Sequence, residues 1–247
     1  MVRANFLSVF VGIESPSEAS LRETKKLQNL RRDPLQSILL LQRSGLWVAG
    51  GFIVGFDSDT DEIFELQQTF IEQAAIPWAM TGFLQAPPTT PLYDRMAREG
   101  RLLENGLTTN FAMPNFQTVL PRSLIVGGLA GMLGALYEPE AFYQRAARSL
   151  VHWNPSKQQR APPMRLGYMV KAILRSLWRQ GIASRYRNAY WTFLVELCVR
   201  WRRDPTKLWW GFGLLLSGEH FIKYAAEVAH ELGGPTNRRY SSPDLRV

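Results

Sequence analysis

Three apolar runs alternate with helical patterns in the first hundred residues, and this alternation narrows the available folds more than any other feature of the chain. Residues 6–13 (FLSVFVGI) form a continuous apolar, β-branched run of the kind found in strands covered on both faces. Residues 46–56 (LWVAGGFIVGF) and 78–85 repeat the pattern. Between them, Ser15-Pro16-Ser17-Glu18 reads as a capping box. Ser15 is the expected N-cap, Pro16 the first helical residue, and Glu18 the partner three positions on. A helix to about residue 29 is expected from there. Asp33-Pro34 predicts a second helix start and Gly45 its end. Asp59 with Glu62 reads as a third capped start, followed by Ile63, Phe64, Phe70, Ile71 and Ala74 at helical spacing. Residues 91–99 predict a short helix stopped by Gly100. Such a β-α-β-α-β-α order predicts parallel strands with right-handed crossovers.

Three units are too few to close a barrel. An open sheet whose first strand is residues 6–13 would also present a hydrophobic edge, which soluble proteins avoid. The pattern therefore predicts a sheet that begins in the middle of a fold, its missing strands supplied by another polypeptide or by a parent protein of which this chain is a fragment. The expected fold class is α/β, then mainly α. Residues 1–105 are expected to hold the β/α part, 106–232 a helical domain, and 233–247 a disordered tail.

One cysteine, Cys198, in 247 residues excludes a disulfide framework and any site that needs several thiolates from this chain. Its place in an apolar helical stretch predicts a buried core residue. His152, His220 and His230 are scattered without metal-ligand spacing, so they read as structural or surface residues and no metal site is expected. The N-terminus lacks the basic region, apolar core and small-residue site of a secretory signal. The longest apolar run, residues 124–137, has 14 residues, four of them glycine, against the roughly 20 of a membrane span. It predicts a buried or interfacial helix. The expected compartment is the cytoplasm, with a peripheral membrane position as an option.

In parallel α/β folds, ligands sit at the carboxyl ends of the strands. Here those ends are Gly12-Ile13-Glu14-Ser15, Gly55-Phe56-Asp57-Ser58-Asp59-Thr60 and Gln85-Ala86-Pro87-Pro88-Thr89-Thr90. The carboxylates of Glu14, Asp57 and Asp59 are expected to converge on one rim. They would read ribose hydroxyls and amino groups or hold a hard cation. Gly50, Gly51 and Gly55 would let a flat ligand approach the backbone. The alternative is structural: Ser15 and Asp59 as helix caps, the glycines as turn or packing residues.

These segments resemble the second half of a radical S-adenosylmethionine (SAM) barrel. Gly51-Phe52-Ile53-Val54-Gly55 is similar to the fifth-strand motif of that family, whose backbone lies against the SAM adenine. The motif's glutamate position falls on Ser58, with Asp57 and Asp59 on either side. Gly12-Ile13-Glu14-Ser15 resembles the fourth-strand end, which implies that Glu14 and Ser15 contact the ribose or methionine part of SAM. The segment from Gln85 to Tyr93 resembles the sixth-strand end and its loop. The phrases GIESPSEASLRETKKLQN, GGFIVGFDSDTDEIF and PLYDRMAREGRLLENG narrow the resemblance to radical SAM proteins with a cobalamin-binding domain, including the hopanoid-methylating type. Those carry a C-terminal domain of unknown function after the barrel. The implied cofactor-binding residues are Glu14, Ser15, Gly51, Ile53, Gly55, Asp57, Ser58 and Gln85. The implied cofactors are SAM and a 4Fe-4S cluster, with cobalamin in a full-length parent. The cluster needs a CxxxCxxC motif that this sequence lacks, so no catalytic residue is assigned to the chain.

The charge is uneven. Residues 151–247 hold 16 Lys+Arg and 6 Asp+Glu, a net +10, whereas the first 150 residues net −2. Residues 166–180, 184–203 and 206–232 predict helices punctuated by Gly181 and Asp204-Pro205. Trp178, Trp191, Trp201, Trp209 and Trp210 alternate there with arginines. Three readings stay open: a helical bundle with an aromatic core and a basic exterior, an amphipathic surface for an anionic membrane, or a nucleic-acid or protein partner. No readable nucleic-acid motif is present. Two function classes follow: part of a radical SAM methyltransferase acting on a lipid-like substrate, inactive alone, or a non-enzymatic module that binds a membrane or partner.

Overall fold

The computed structural model describes residues 1–23, 33–103, 113–156, 159 and 166–233. After a short 3-10 turn at Val2–Ala4, strand β1 (Ser8–Glu14) leads to helix α1 (Glu18–Glu23). Helix α2 (Pro34–Arg43), β2 (Trp47–Val54), α3 (Ile63–Gln73), β3 (Ala79–Phe83) and α4 (Pro91–Arg98) follow. The expected order of strands and helices is thus observed. The strands form one parallel sheet in the order β1-β2-β3. Helices α5 (Arg122–Leu136), α6 (Pro139–His152), α7 (Leu166–Ser176), α8 (Arg187–Arg200) and α9 (Pro205–Gly233) complete the described chain, with a π-helical segment, Leu177–Ile182, after α7. The fold is α/β, then mainly helical. The disordered tail expected at 233–247 and the end of the helix expected to reach residue 29 lie outside the described residues.

Local signals explain most helix starts. Asp33 caps α2 by accepting from the Leu35 N–H, with Pro34 in the first turn, and Thr90 caps α4 through the Tyr93 N–H. Two expected caps are corrected. The helix expected at Pro16 begins at Glu18, and Ser17, not Ser15, holds its cap, accepting from the Ser20 N–H at 3.4 Å. Ser15 is buried and its Oγ accepts from the Ser17 N–H. Asp59 does not cap α3, which starts at Ile63 without a side-chain cap.

The two faces of the sheet differ. Phe52, Val54, Ala79 and Phe83 are buried against the helices, chiefly Ile63, Phe70 and Ile71 of α3. The opposite face carries Phe10, Gly12, Gly51, Ile53, Met80 and Gly82, and all are partly or fully exposed. One hydrophobic cluster joins the sheet's covered face to α5, α6, α8 and α9. At its lower end Trp47 of β2 stacks on Trp210 of α9 (5.5 Å) and meets Trp78 and Trp153 edge-on. Residues 124–137 are therefore largely a packed core helix, as expected from their length. Gly128 lets α5 close on α3, since a Cβ there would meet the Phe64 ring.

The outer edge of β3 has no strand neighbour among the described residues. Side chains take that role. Tyr137 Oη accepts from the Ala79 N–H (3.1 Å) and donates to the Ala79 carbonyl (2.7 Å). Beyond the strand end, Asn115 does the same for Ala86, accepting from its N–H (2.8 Å) and donating to its carbonyl (2.7 Å). A buried strand edge needs such partners. Burial pushes the Tyr137 hydroxyl's pKa upward, which keeps it protonated and able to donate.

Candidate functional site

The exposed sheet face forms the floor of a cavity of about 850 Å³. Gly12, Glu14, Gly51 and Ile53 line it from β1 and β2, and Met80 and Gly82 from β3. Gln85 and Pro87 stand at the strand end. The side wall, at the β3 edge, is α9, through His220, Phe221, Tyr224 and Val228, with Leu133 and Tyr137 of α5 beside it. Phe221 stacks on Tyr137 (5.9 Å) and Trp78 (6.1 Å), which fixes α9 against the β3 edge.

A β-bulge aims Glu14. Gly12 pairs with Gly51 and Glu14 with Phe52, so Ile13 is the extra residue and turns into the core. Glu14 itself takes φ 66°, a left-handed conformation that disfavours any residue with a Cβ. Strained backbone of this kind is held in place by its surroundings and clusters at functional sites. Thr81, on the covered face of β3 with its register partner Phe52, is buried, and its Oγ1 has no hydrogen-bond partner among the described residues.

The other predicted site residues are placed as follows. Gly51 and Ile53 face the cavity, but the Phe10 ring lies over Gly51, where a Cβ would come within 2.8 Å of it. Gly50 does not open the backbone to a ligand. It faces the core, where a Cβ would crowd Phe52, Ile13 and Ile76. Gly55 has φ 104° and makes the turn after β2. Asp59 closes that turn: its Oδ2 accepts from the Gly55 and Phe56 N–H groups (2.8 and 3.0 Å), and its Oδ1 from the Ser20 hydroxyl (2.7 Å). Burial raises its pKa.

Asp57 and Ser58 point into an ionic network instead. Arg101 grips Asp57 with two nitrogens (2.9 and 2.6 Å), and this pairing holds the Asp57 carboxyl below the usual range. Arg95 bridges Asp57 (3.2 Å) and Glu23 (3.0 Å). Ser58 donates from its N–H and its hydroxyl to Glu23 (both 3.0 Å). The expected convergence of three carboxylates is thus corrected: Glu14 faces the cavity, while Asp57 is drawn away by arginines and Asp59 by backbone amides. Gln85 lines the cavity and donates to the Met113 carbonyl (3.0 Å).

Phe10, His220 and the rest of the α9 wall lie outside the strand ends that the sequence marks. A signal was present: His220, Phe221, Tyr224, Ala225 and Val228 recur at three- and four-residue intervals on one side of a helix. Cys198 is also corrected. It is exposed on α8, so the chain's single thiol lies outside the cavity lining. Its residues do not fit an iron–sulfur cluster. For a SAM-sized ligand they offer the Glu14 carboxylate and the Gln85 amide at the strand ends, with Phe10 lying over Gly51.

Comparison with known proteins gives a consistent picture. Residues 90–233 match the family model described as a domain of unknown function (DUF4070). The chain is 30% identical over 242 residues to a hopanoid C-2 methylase of Rhodopseudomonas palustris, covering 96% of this chain and 44% of that protein. It is 32% identical over 235 residues to an uncharacterized methyltransferase of Synechocystis sp., covering 94% of this chain and 43% of that protein. A putative methylthiotransferase of Methanocaldococcus jannaschii is 37% identical over 98 residues, 38% of this chain and 22% of that protein. The chain therefore spans less than half the length of each. No solved structure matches it.

Proposed function

The chain belongs to the family defined by the domain of unknown function DUF4070, and from that premise we propose that it forms the C-terminal part of a radical SAM methyltransferase acting on a lipid-like substrate. Its named relatives are methyl- and methylthiotransferases, which supports a methyltransferase-type assignment. The observation that carries the finer reading is the cavity. Gly12, Glu14, Gly51 and Ile53 line it together with the aromatic residues of α9, which supports this reading.

In this reading SAM, when bound, supplies the methyl group or the radical. The chain's share is binding and orientation. Glu14 would accept from the amino or ribose groups of SAM, and the β1–β2 floor would take the flat adenine. Phe221, Met80, Leu133 and Val228 exclude water around an apolar substrate. The 4Fe-4S cluster belongs to further polypeptide, since one exposed cysteine cannot hold it. Cobalamin is assigned with it. The chain by itself is then inactive and binds SAM weakly, because the amino and carboxylate groups of SAM lack their iron.

Amide NMR with added SAM tests this. Millimolar SAM is expected to shift Gly12, Glu14, Gly51 and Ile53, and Glu14→Ala is expected to remove those shifts. Shifts confined to other regions, or none at all, would overturn the reading.

A further inference from the structure

The surface of α7 and α8 carries two apolar rows that are largely exposed in the described chain. Val170 and Leu174 of α7 continue into Trp178 and Ile182 of the π-helical segment at four-residue spacing. Trp191, Val195 and Val199 form a matching row on α8. All seven are 41–65% exposed, although each is large and apolar. The rows adjoin. The Trp191 indole N–H donates to the Gly181 carbonyl at 2.8 Å, and a Cβ on Gly181 would sit 3.1 Å from the Trp191 ring. Contiguous exposed patches of this kind mark interaction surfaces.

The charge around the rows identifies the partner. Residues 166–203 contain eight Lys+Arg and one acidic residue, Glu196, which pairs with Arg200. Lys171 and Arg175 flank the α7 row, Arg185 and Arg187 lie before the α8 row, and Arg202 and Arg203 follow it, all exposed. A second copy would bring the same positive charge against this face. Nucleic acid would match the cations but not five aliphatic side chains. An anionic bilayer satisfies both, since hydrocarbon takes the aliphatic rows, tryptophans favour the interface, and arginines reach the headgroups. Among the described residues no helix is long and apolar enough to cross a membrane, so the contact would lie in the plane of the surface.

We propose that the α7–α8 face docks this chain on an anionic membrane surface. The inference does not depend on the SAM reading, because its residues are separate from the cavity lining.

Cys198, the only cysteine and exposed on α8 beside Val199, is a native handle for an environment-sensitive fluorophore. The labelled chain would be mixed with vesicles of phosphatidylcholine alone or with added phosphatidylglycerol, and partition read by flotation and by the probe's blue shift. Binding is expected to the anionic vesicles and to weaken with salt. Each lipid-facing cation contributes about fivefold. Arg175→Glu with Arg187→Glu should therefore lower partition by at least about tenfold, and Trp178→Ser with Val195→Ser should also lower it. Both pairs are exposed, so thermal unfolding should not change. No partition at low salt, equal partition to neutral vesicles, or insensitivity to both variant pairs would overturn the proposal. So would a probe response caused by self-association or by added nucleic acid instead of lipid.

Discussion

Glu14 shows how one residue links backbone strain to the site. Its φ of 66° is unfavourable for a side chain bearing a Cβ, and it follows the β-bulge that lets Glu14 line the cavity. Glycine populates this region without penalty, whereas an L residue incurs about 1 kcal/mol or more. Glu14→Gly should therefore be more stable than Glu14→Ala by about 1 kcal/mol, although both remove the same carboxylate. Urea unfolding of the two variants measures the difference, and equal midpoints would mean that the backbone relaxes. Asp59 makes the complementary point. Its position four residues before an apolar helix reads as a cap, but three donors from Gly55, Phe56 and Ser20 converge on it first. Sequence spacing names the acceptor and not which donors reach it.

At the scale of elements, β3 ends the described sheet with an edge satisfied by side chains. Tyr137 meets Ala79 from α5, and Asn115 meets Ala86 from the segment before it. Removing the Tyr137 hydroxyl would orphan two buried backbone groups at Ala79. Tyr137→Phe should destabilise the chain by about 1–3 kcal/mol, and amide exchange at Ala79 should accelerate. Unchanged exchange there would mean that water or a shifted backbone replaces the hydroxyl. The strands and most helices are legible in the sequence, because apolar runs, Asp33-Pro34 and the stop at Gly100 are local signals. The strand edge was not legible, since its partners lie 58 and 29 residues away.

For the whole molecule, the tryptophan cluster decides whether sheet and helices behave as one body. Trp78, Trp153 and Trp210 gather around Trp47, and Trp210, from the far end of the chain, also meets Trp153. Arg145, fully buried, adds a second tie: it donates to the Ile76 and Leu136 carbonyls and pairs with Glu72. A single unfolding transition is expected, with tryptophan fluorescence and helical circular dichroism coinciding. Trp210→Ala should lower both together by about 3 kcal/mol. Two separate transitions would mean that the sheet and the helical region fold independently.

The order of strands and helices, their parallel arrangement, the strand ends that carry Glu14 and Gln85, and the family resemblance are all written in the amino-acid order. These rest on periodicity, capping and turn residues acting over a few positions. Only the tertiary structure decided that Phe10 covers Gly51, that arginines draw Asp57 aside, that α9 walls the cavity with His220 and Phe221, and that Cys198 lies on the surface. The physical reason is separation along the chain. Local signals select an element and its apolar stripe, but which stripe meets which is settled by packing between residues often more than a hundred positions apart.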